Sequence, residues 1–404
     1  MNIPMKICHI TTVPQSLNFV RGQVSYMKDR GFEVHAISSP GKQLEEFADR
    51  EQITVSAVEM LRSITPVKDI RSLWQLWRSI RRIKPEIVHA HTPKGGLLGM
   101  ISAWMAGAPV RIYHIRGLPF MTATGLKRKI LIATENISCS LAHQVLCVSH
   151  SIRDVAVNEG ICSADKIKAL RSGSGNGVDA AQRFNPASWG TNRSDIRLQY
   201  GIPVDAVVIG FVGRIVRDKG IVELIEAWQS IVDQYPKVYL MLIGPFEPQD
   251  PVPSETIQLI KNGNRIVLTG GQEDSAPFYT AMDICVLPTY REGFPNVPME
   301  AAAMGLPVVA TQIPGCIDAV QDGVTGTLVP PRDSQSLARA IKAYLDDPDL
   351  RRKHGQAGRE RVLRDFRPED IWEAVYQEYI RLLKSKGLDV PEAHTATSEA
   401  SVNG

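Results

Sequence analysis

With 404 residues the chain is too long for one ordinary hydrophobic core, so two domains are expected. Apolar residues make up 44% and charged residues 22%, ordinary globular proportions, and a formal net charge of +3 excludes a strong nucleic-acid footprint while allowing a local basic face. The six cysteines (Cys8, Cys139, Cys147, Cys162, Cys285 and Cys316) form no CxxC pair and have no histidine at metal-ligand spacing, so they read as small buried hydrophobes in a reducing compartment.

The N-terminal MNIPMKICHITTVP is apolar only in a short, broken run, and no stretch of about 20 apolar residues follows. A cytoplasmic chain is expected. Residues 5–12 (MKICHITT) have a strand pattern, 19–31 a helical one stopped by Gly31, and 32–39 a strand again. The rhythm continues with a helix over 73–85 and strands over 86–92, 110–117 and 143–150. It breaks at 171–194, a stretch rich in Gly, Ser and Asn that reads as a hinge. It resumes with a strand over 207–215, a helix over 220–236 and strands over 237–244, 264–271, 283–289 and 306–311. A long helix follows Pro368, and the polar residues after it are expected to be disordered. Strands separated by helices imply α/β units with parallel sheets, here two Rossmann-like, doubly wound domains facing a cleft. Ligands bind such sheets at the carboxyl ends of the strands.

Two strand ends attract attention first. In FVGRIVRDKG (211–220), a strand ends at Gly213 and Arg214 and Lys219 follow on the loop, five residues apart. An Arg fork and a Lys point charge suit a diphosphate; the bland alternative is a solvated turn. In REGFPNVPME (291–300), Glu292 and Glu300 stand eight positions apart around two prolines. Pro295 and Pro298 keep helix from forming before about residue 298, after which MEAAAMG propagates one ended by Gly305. The amides from Asn296 through Val297 to Met299 would then point forward as an anion site. Glu300 could accept from the vicinal diol of a ribose, and Glu292 could read sugar hydroxyls. The plainer readings are a favourable helix-terminus charge and an exposed acid.

EGFPNVPMEAAAMGLPVVAT resembles the E-x7-E signature of the retaining glycosyltransferases of family 4, which have the GT-B fold. VIGFVGRIVRDKG, IVLTGGQEDSAPFYTAMDICVLPT and GCIDAVQDGVTGTLVPPRD resemble the family's neighbouring segments, and the likeness spans about residues 5 to 380. The resemblance implies an N-terminal acceptor-binding domain (1–180), a C-terminal nucleotide-sugar-binding domain (181–365), a helix crossing back to the first domain (366–385) and a disordered tail (386–404). Gly213, Arg214 and Lys219 would meet the donor diphosphate, Glu300 the ribose, and Glu292 with the Gly293, Phe294, Pro295, Asn296 and Val297 backbone the sugar and phosphate. No metal and no cofactor are implied; the nucleotide sugar is the substrate.

Two departures from the family stand in the first half. The loop TTVPQSLNFVRGQ lacks the family's Gly-Gly pair and offers Ser16, Leu17 and Gly22 instead. At the end of 110–117, where the family often has His, Arg116 precedes Gly117, with His114 two back. Arg116 is expected to face the cleft as a catalytic or acceptor-side cation. Ser16, His91 and Lys94 complete the acceptor-side set, although His89 and His91 also read as a packed pair. SGSGNG (172–177) lacks the strand and helix of a phosphate loop, and DPD (347–349) reads as a surface loop rather than a metal site.

Basic and aromatic residues mix in RSLWQLWRSIRRIK (71–84) and near GLKRKI (125–130), which suits a membrane surface as well as ordinary solvated helices. The likeness to surface-polysaccharide members implies a nucleotide-sugar donor, with a UDP-sugar expected, and a lipid-diphosphate-linked or other glycan acceptor, with the enzyme peripheral on the inner face of the membrane. Two other readings stand beside it: a UDP-sugar epimerase of the same architecture and a non-catalytic nucleotide-sugar-binding protein.

Overall fold

Short β-branched runs, flanked by amphipathic stretches too long to be strands, set the alternation that the computed structural model shows over residues 4–63 and 65–391. The first unit runs β1 (Met5–Ile10), α1 (Gln23–Lys28), β2 (Phe32–Ser38), α2 (Lys42–Glu51), β3 (Thr54–Ala57), α3 (Pro66–Ile83), β4 (Ile87–His91), α4 (Pro93–Met105), β5 (Val110–Ile115), α5 (Gly125–Leu141), β6 (Gln144–Cys147), α6 (His150–Asn158) and β7 (Ile167–Ala169). The second runs α7 (Asn192–Gln199), β8 (Val207–Val212), α8 (Ile221–Val232), β9 (Val238–Ile243), α9 (Ser254–Asn262), β10 (Ile266–Gly270), α10 (Ala276–Ala281), β11 (Ile284–Leu287), α11 (Asn296–Ala303), β12 (Val308–Thr311), α12 (Cys316–Ala319), β13 (Gly326–Val329), α13 (Ser334–Asp346) and α14 (Pro348–Asp365). A last helix, α15 (Pro368–Ser385), follows.

Both sheets are parallel. The first has strand order β3-β2-β1-β4-β5-β6-β7 and the second β10-β9-β8-β11-β12-β13. The order reverses between β1 and β4 and again between β8 and β11, and a crevice opens at such a switch point. β4, β6, β11 and β12 are buried throughout, as strands covered on both faces must be.

The first sheet is sandwiched between two apolar clusters. One lies under α3, α4 and α5. The other contains Ile7, Phe32, Val34 and Leu146 of the sheet together with Val375, Tyr379, Leu382 and Leu383 of α15. The last helix therefore belongs to the core of the first domain, where each fully buried side chain contributes on the order of 1.5–3 kcal/mol. The chain passes between domains at 170–177 and returns at Phe366–Arg367. These passages are joined by the Val178 N–H, which donates to Phe366 O at 2.9 Å.

The single helix expected over 19–31 is instead a 3₁₀ turn, Pro14–Val20, followed by the shorter α1. Gly22 divides them at φ +76°, and a Cβ there would lie 2.7 Å from the Trp372 ring of α15. Helix α11 begins at Asn296, two residues earlier than expected, because Pro298 sits within the first turn, where its missing N–H needs no partner. All six cysteines are buried thiols. The expected disorder of the tail concerns residues that, from 392 on, lie outside the described ones.

Candidate active site

The loops after β8 and β11 meet at the switch point of the second sheet. Lys219 closes the 3₁₀ turn Arg217–Lys219 at the entrance to α8, and its ammonium donates to the Glu292 carboxylate. Both side chains are largely shielded, at 21% and 14% exposure. Arg214 stands further out, 47% exposed, with its guanidinium on Glu247 at 2.6 Å. No side chain caps α11, so the amides at its start are open to an anion. Asn296 is exposed, whereas the Phe294 ring is buried against Phe366 at 5.5 Å. Phe294 can therefore offer a ligand only its backbone.

Glu300 lies in the second turn of α11, not the first, and one of its oxygens accepts from the Tyr279 hydroxyl at 2.7 Å. Burial pushes its carboxyl above the usual carboxylate range, and the Tyr279 hydrogen bond pulls the other way. One oxygen remains for a ligand hydroxyl.

Across the cleft, β1, β4 and β5 bring four imidazoles together. Register pairs His9 with His89 and His91 with His114, and His89 and His91 share one face of β4. The His89 and His91 rings stack at 4.3 Å and the His89 and His114 rings at 5.3 Å. Nδ1 of His9 is 3.1 Å from Nε2 of His91, Nε2 of His89 is 3.2 Å from Nδ1 of His114, and Nδ1 of His89 is 2.6 Å from the Tyr379 hydroxyl. Burial first, and Arg116 or neighbouring imidazoles second, lower the basicity of all four; His9 falls to about 3.

Arg116 does not reach outward as expected. Its Nε and Nη2 point at Nδ1 of His91 (3.3 and 3.2 Å), its Nη1 donates to Gly175 O at 2.6 Å, and Phe19 covers it at 5.0 Å. Lys94 is likewise occupied: its ammonium is held by Asp69 at 2.7 Å and donates to Ser63 O. Ser16 sits half-exposed on the 3₁₀ turn after β1, and His91 is buried rather than open to the cleft. Nitrogens of His9, His89 and His91 lie within 4.8 Å of one another, but the group contains no carboxylate and Arg116 adds a positive charge beside it. That is a poor setting for a metal cation.

The domains touch through the Glu292 loop. A Cβ on Gly293 would lie 2.0 Å from Arg116 O, and Gly293 O accepts from the Ser149 hydroxyl at 2.8 Å. The Asp318 carboxylate accepts from the N–H groups of His150 (3.1 Å) and Ser151 (3.3 Å), where the N-terminus of α6 favours negative charge. Arg291 bridges Asp218 and the Thr122 hydroxyl. Glu247, Tyr279, Tyr379, Ser149 and Asp318 escaped the sequence reading. His9 escaped it too, although its height on β1 opposite His89 becomes visible once the two strands are aligned.

A family model described as glycosyl transferases group 1 matches residues 192–361, and one described as a glycosyl transferase 4-like domain matches 18–173. The capsular polysaccharide biosynthesis glycosyltransferase CapM of Staphylococcus aureus is 35% identical over 379 residues, 94% of this chain and 98% of its own. An Escherichia coli relative, UDP-Gal:alpha-D-GlcNAc-diphosphoundecaprenol alpha-1,3-galactosyltransferase, is 25% identical across 86% of this chain and 89% of its own. HepE of Anabaena, solved with UDP and glucose, superposes with a TM-score of 0.77 at 20% identity, covering 93% of this chain and all of that one. Twin parallel sheets switching order at a shared cleft, with Lys219 and Glu292 at its mouth, agree with these matches: the chain belongs to the GT-B-fold glycosyltransferases of family 4, the glycosyl transferases group 1.

Proposed function

We propose that the protein is a retaining glycosyltransferase that moves a sugar from a UDP-sugar to a polyprenyl-diphosphate-linked sugar or related glycan in surface-polysaccharide synthesis. The observation that carries this reading is the meeting of Lys219, Glu292 and the uncapped start of α11 at the switch point. Without a donor, Lys219 is neutralised by Glu292. A donor diphosphate would take over Lys219 and free Glu292 for the sugar hydroxyls; Arg214 would exchange Glu247 for phosphate in the same way. As the anomeric C–O bond breaks, its electron pair stays on the departing diphosphate, opposite Lys219, Arg214 and the α11 amides. The acceptor oxygen bonds to the anomeric carbon on the same face, and its proton passes to a diphosphate oxygen. Glu300, with one oxygen left by Tyr279, suits the ribose. Fixed cations supply the neutralising charge, so EDTA should leave the rate unchanged.

The names of the Staphylococcus aureus and Escherichia coli relatives support the pathway and a lipid-diphosphate acceptor. The surface of the first domain agrees with such an acceptor. Val67, Ile70 and Trp74 form an exposed stripe on α3, and Trp104 and Leu126 are exposed on the neighbouring α4 and α5. Exposed Arg71, Arg78, Lys127 and Lys129 accompany them. Among the described residues no helix is long and apolar enough to cross a membrane. Apolar side chains ringed by cations fit the anionic cytoplasmic leaflet as a peripheral docking face.

The test is a donor screen of UDP- and GDP-sugars, following free nucleotide with and without lipid-diphosphate glycan. Release stimulated by acceptor, with a retained anomeric configuration in the product, is expected. An epimerised sugar formed without acceptor, or tight nucleotide binding with no turnover on any acceptor, would overturn the reading. Flotation with vesicles of anionic lipid should carry the protein up, and Trp74→Ser with Arg78→Glu should leave it behind. Equal flotation with neutral vesicles would remove the electrostatic part.

A further inference from the structure

Arg116 can only donate hydrogen bonds, because a guanidinium has no acceptor. His91 must therefore present an unprotonated Nδ1 to the Arg116 fork. A neutral His91 then carries its proton on Nε2 and donates it to Nδ1 of His9. His9 in turn carries its proton on Nε2, a buried atom with no hydrogen-bond partner among the described residues. One cation thus dictates the tautomers of two histidines in series. Beside this chain, the Tyr379 hydroxyl of α15 holds His89, which holds His114, and the two branches are pressed together by the His89–His91 stack.

The third Arg116 donor goes to Gly175 in the passage between the domains, and the Arg116 carbonyl lies where the Glu292–Gly293 loop arrives. The arginine thereby joins the end of β5, the inter-domain connection and the donor loop.

We propose that His91 is a positioning residue for glycosyl transfer: backed by His9 and braced by the Tyr379–His89 pair, its Nδ1 aims Arg116 so that the end of β5 holds the donor loop closed against the first domain. The inference rests on the transfer reading above. His91 itself touches no substrate. It acts through Arg116, and a buried acceptor for a charged donor is costly to remove.

The test compares His91→Leu, His91→Asn and Tyr379→Phe in the full-length protein. Asn places a carbonyl oxygen near the position of Nδ1, whereas Leu offers no acceptor. His91→Leu should lower kcat at least tenfold with UDP affinity, read by calorimetry, within threefold of wild type. His91→Asn should recover most of the rate, and Tyr379→Phe should give an intermediate loss. A His91→Leu rate within threefold of wild type would overturn the proposal, as would an equal loss in His91→Asn. Nitrogen-15 NMR of the imidazoles gives a second readout that needs no substrate: Nδ1 of His91 is expected unprotonated at pH 7, and Arg116→Met should release that constraint. A protonated Nδ1 in the wild type, or zinc, copper or nickel found bound by the purified protein at these histidines, would sink it. If no donor is turned over, the transfer reading fails while the NMR result still decides the tautomer chain.

Discussion

Lys219 and Arg214 carry the same charge but differ in how far water screens it. The Lys219 side chain is 21% exposed and faces the still more shielded Glu292, whereas Arg214 is 47% exposed and pairs with Glu247 at the rim. A charge in a shielded site acts more strongly on a developing anion than one in open water. Lys219→Ala is expected to lower kcat by about 10²-fold, the scale seen for loss of one preorganised charge-stabilising donor. Arg214→Ala should cost clearly less. Steady-state rates on the same donor check both, and a Lys219→Ala rate within threefold of wild type would remove the phosphate role. The Lys219–Glu292 meeting was foreseeable because each lies just past a strand end in a recognisable motif. The His9–His91 bond was not, since it depends on the register of two strands whose bonded histidines stand 82 positions apart.

At the scale of elements, the loop between β11 and α11 does two things. It presents Glu292 to Lys219, and it lays the Gly293 backbone against the end of β5. The second contact leaves no room for a side chain, because the opposing atom is a main-chain oxygen that cannot rotate away. Gly293→Ala should therefore keep the second domain folded and able to bind UDP, yet push the domains apart and lower transfer at least tenfold. Calorimetry with UDP beside kcat checks this; equal losses in both would point instead to local misfolding of the loop. The strand rhythm of both sheets was legible, since fully buried parallel strands read as apolar runs. The short edge strand β3 (TVSA) has no such run, and Gly22, which separates the 3₁₀ turn from α1, lies against Trp372, some 350 residues away in the sequence. Local pattern carries no record of so distant a neighbour.

For the whole molecule, the imidazole cluster links stability to pH. In the folded state His9, His89, His91 and His114 are all held below the ordinary histidine value, by burial first and by Arg116 and one another next. Above about pH 6.5 neither state binds these protons, so the cluster contributes nothing to the pH dependence. Below that value the unfolded chain gains protons that the folded chain refuses, and stability falls as pH falls, by about 1.4 kcal/mol per pH unit for each histidine. The urea midpoint should be level from pH 8 to 7 and drop steeply between 6.5 and 5. A midpoint unchanged down to pH 5 would show that the imidazoles titrate freely. The two-domain division was legible from the break in rhythm near 171–194, but the destination of α15 came only through family likeness. Nothing in an amphipathic helix states which sheet it will cover.

That destination has a consequence for biosynthesis. The first sheet is complete by Ala169, but the side chains that cover one of its faces, Val375, Tyr379, Leu382 and Leu383, leave the ribosome about 200 residues later. At ordinary elongation rates this is a delay of roughly 10 to 40 seconds. During that interval Ile7, Phe32 and Val34 await their lid, while nearly all of the second domain's core, Val178 to Phe366, is made in one contiguous stretch. The half made first is thus the half finished last: once Phe366 has emerged the second domain has its whole core, while its N-terminal partner still waits for α15.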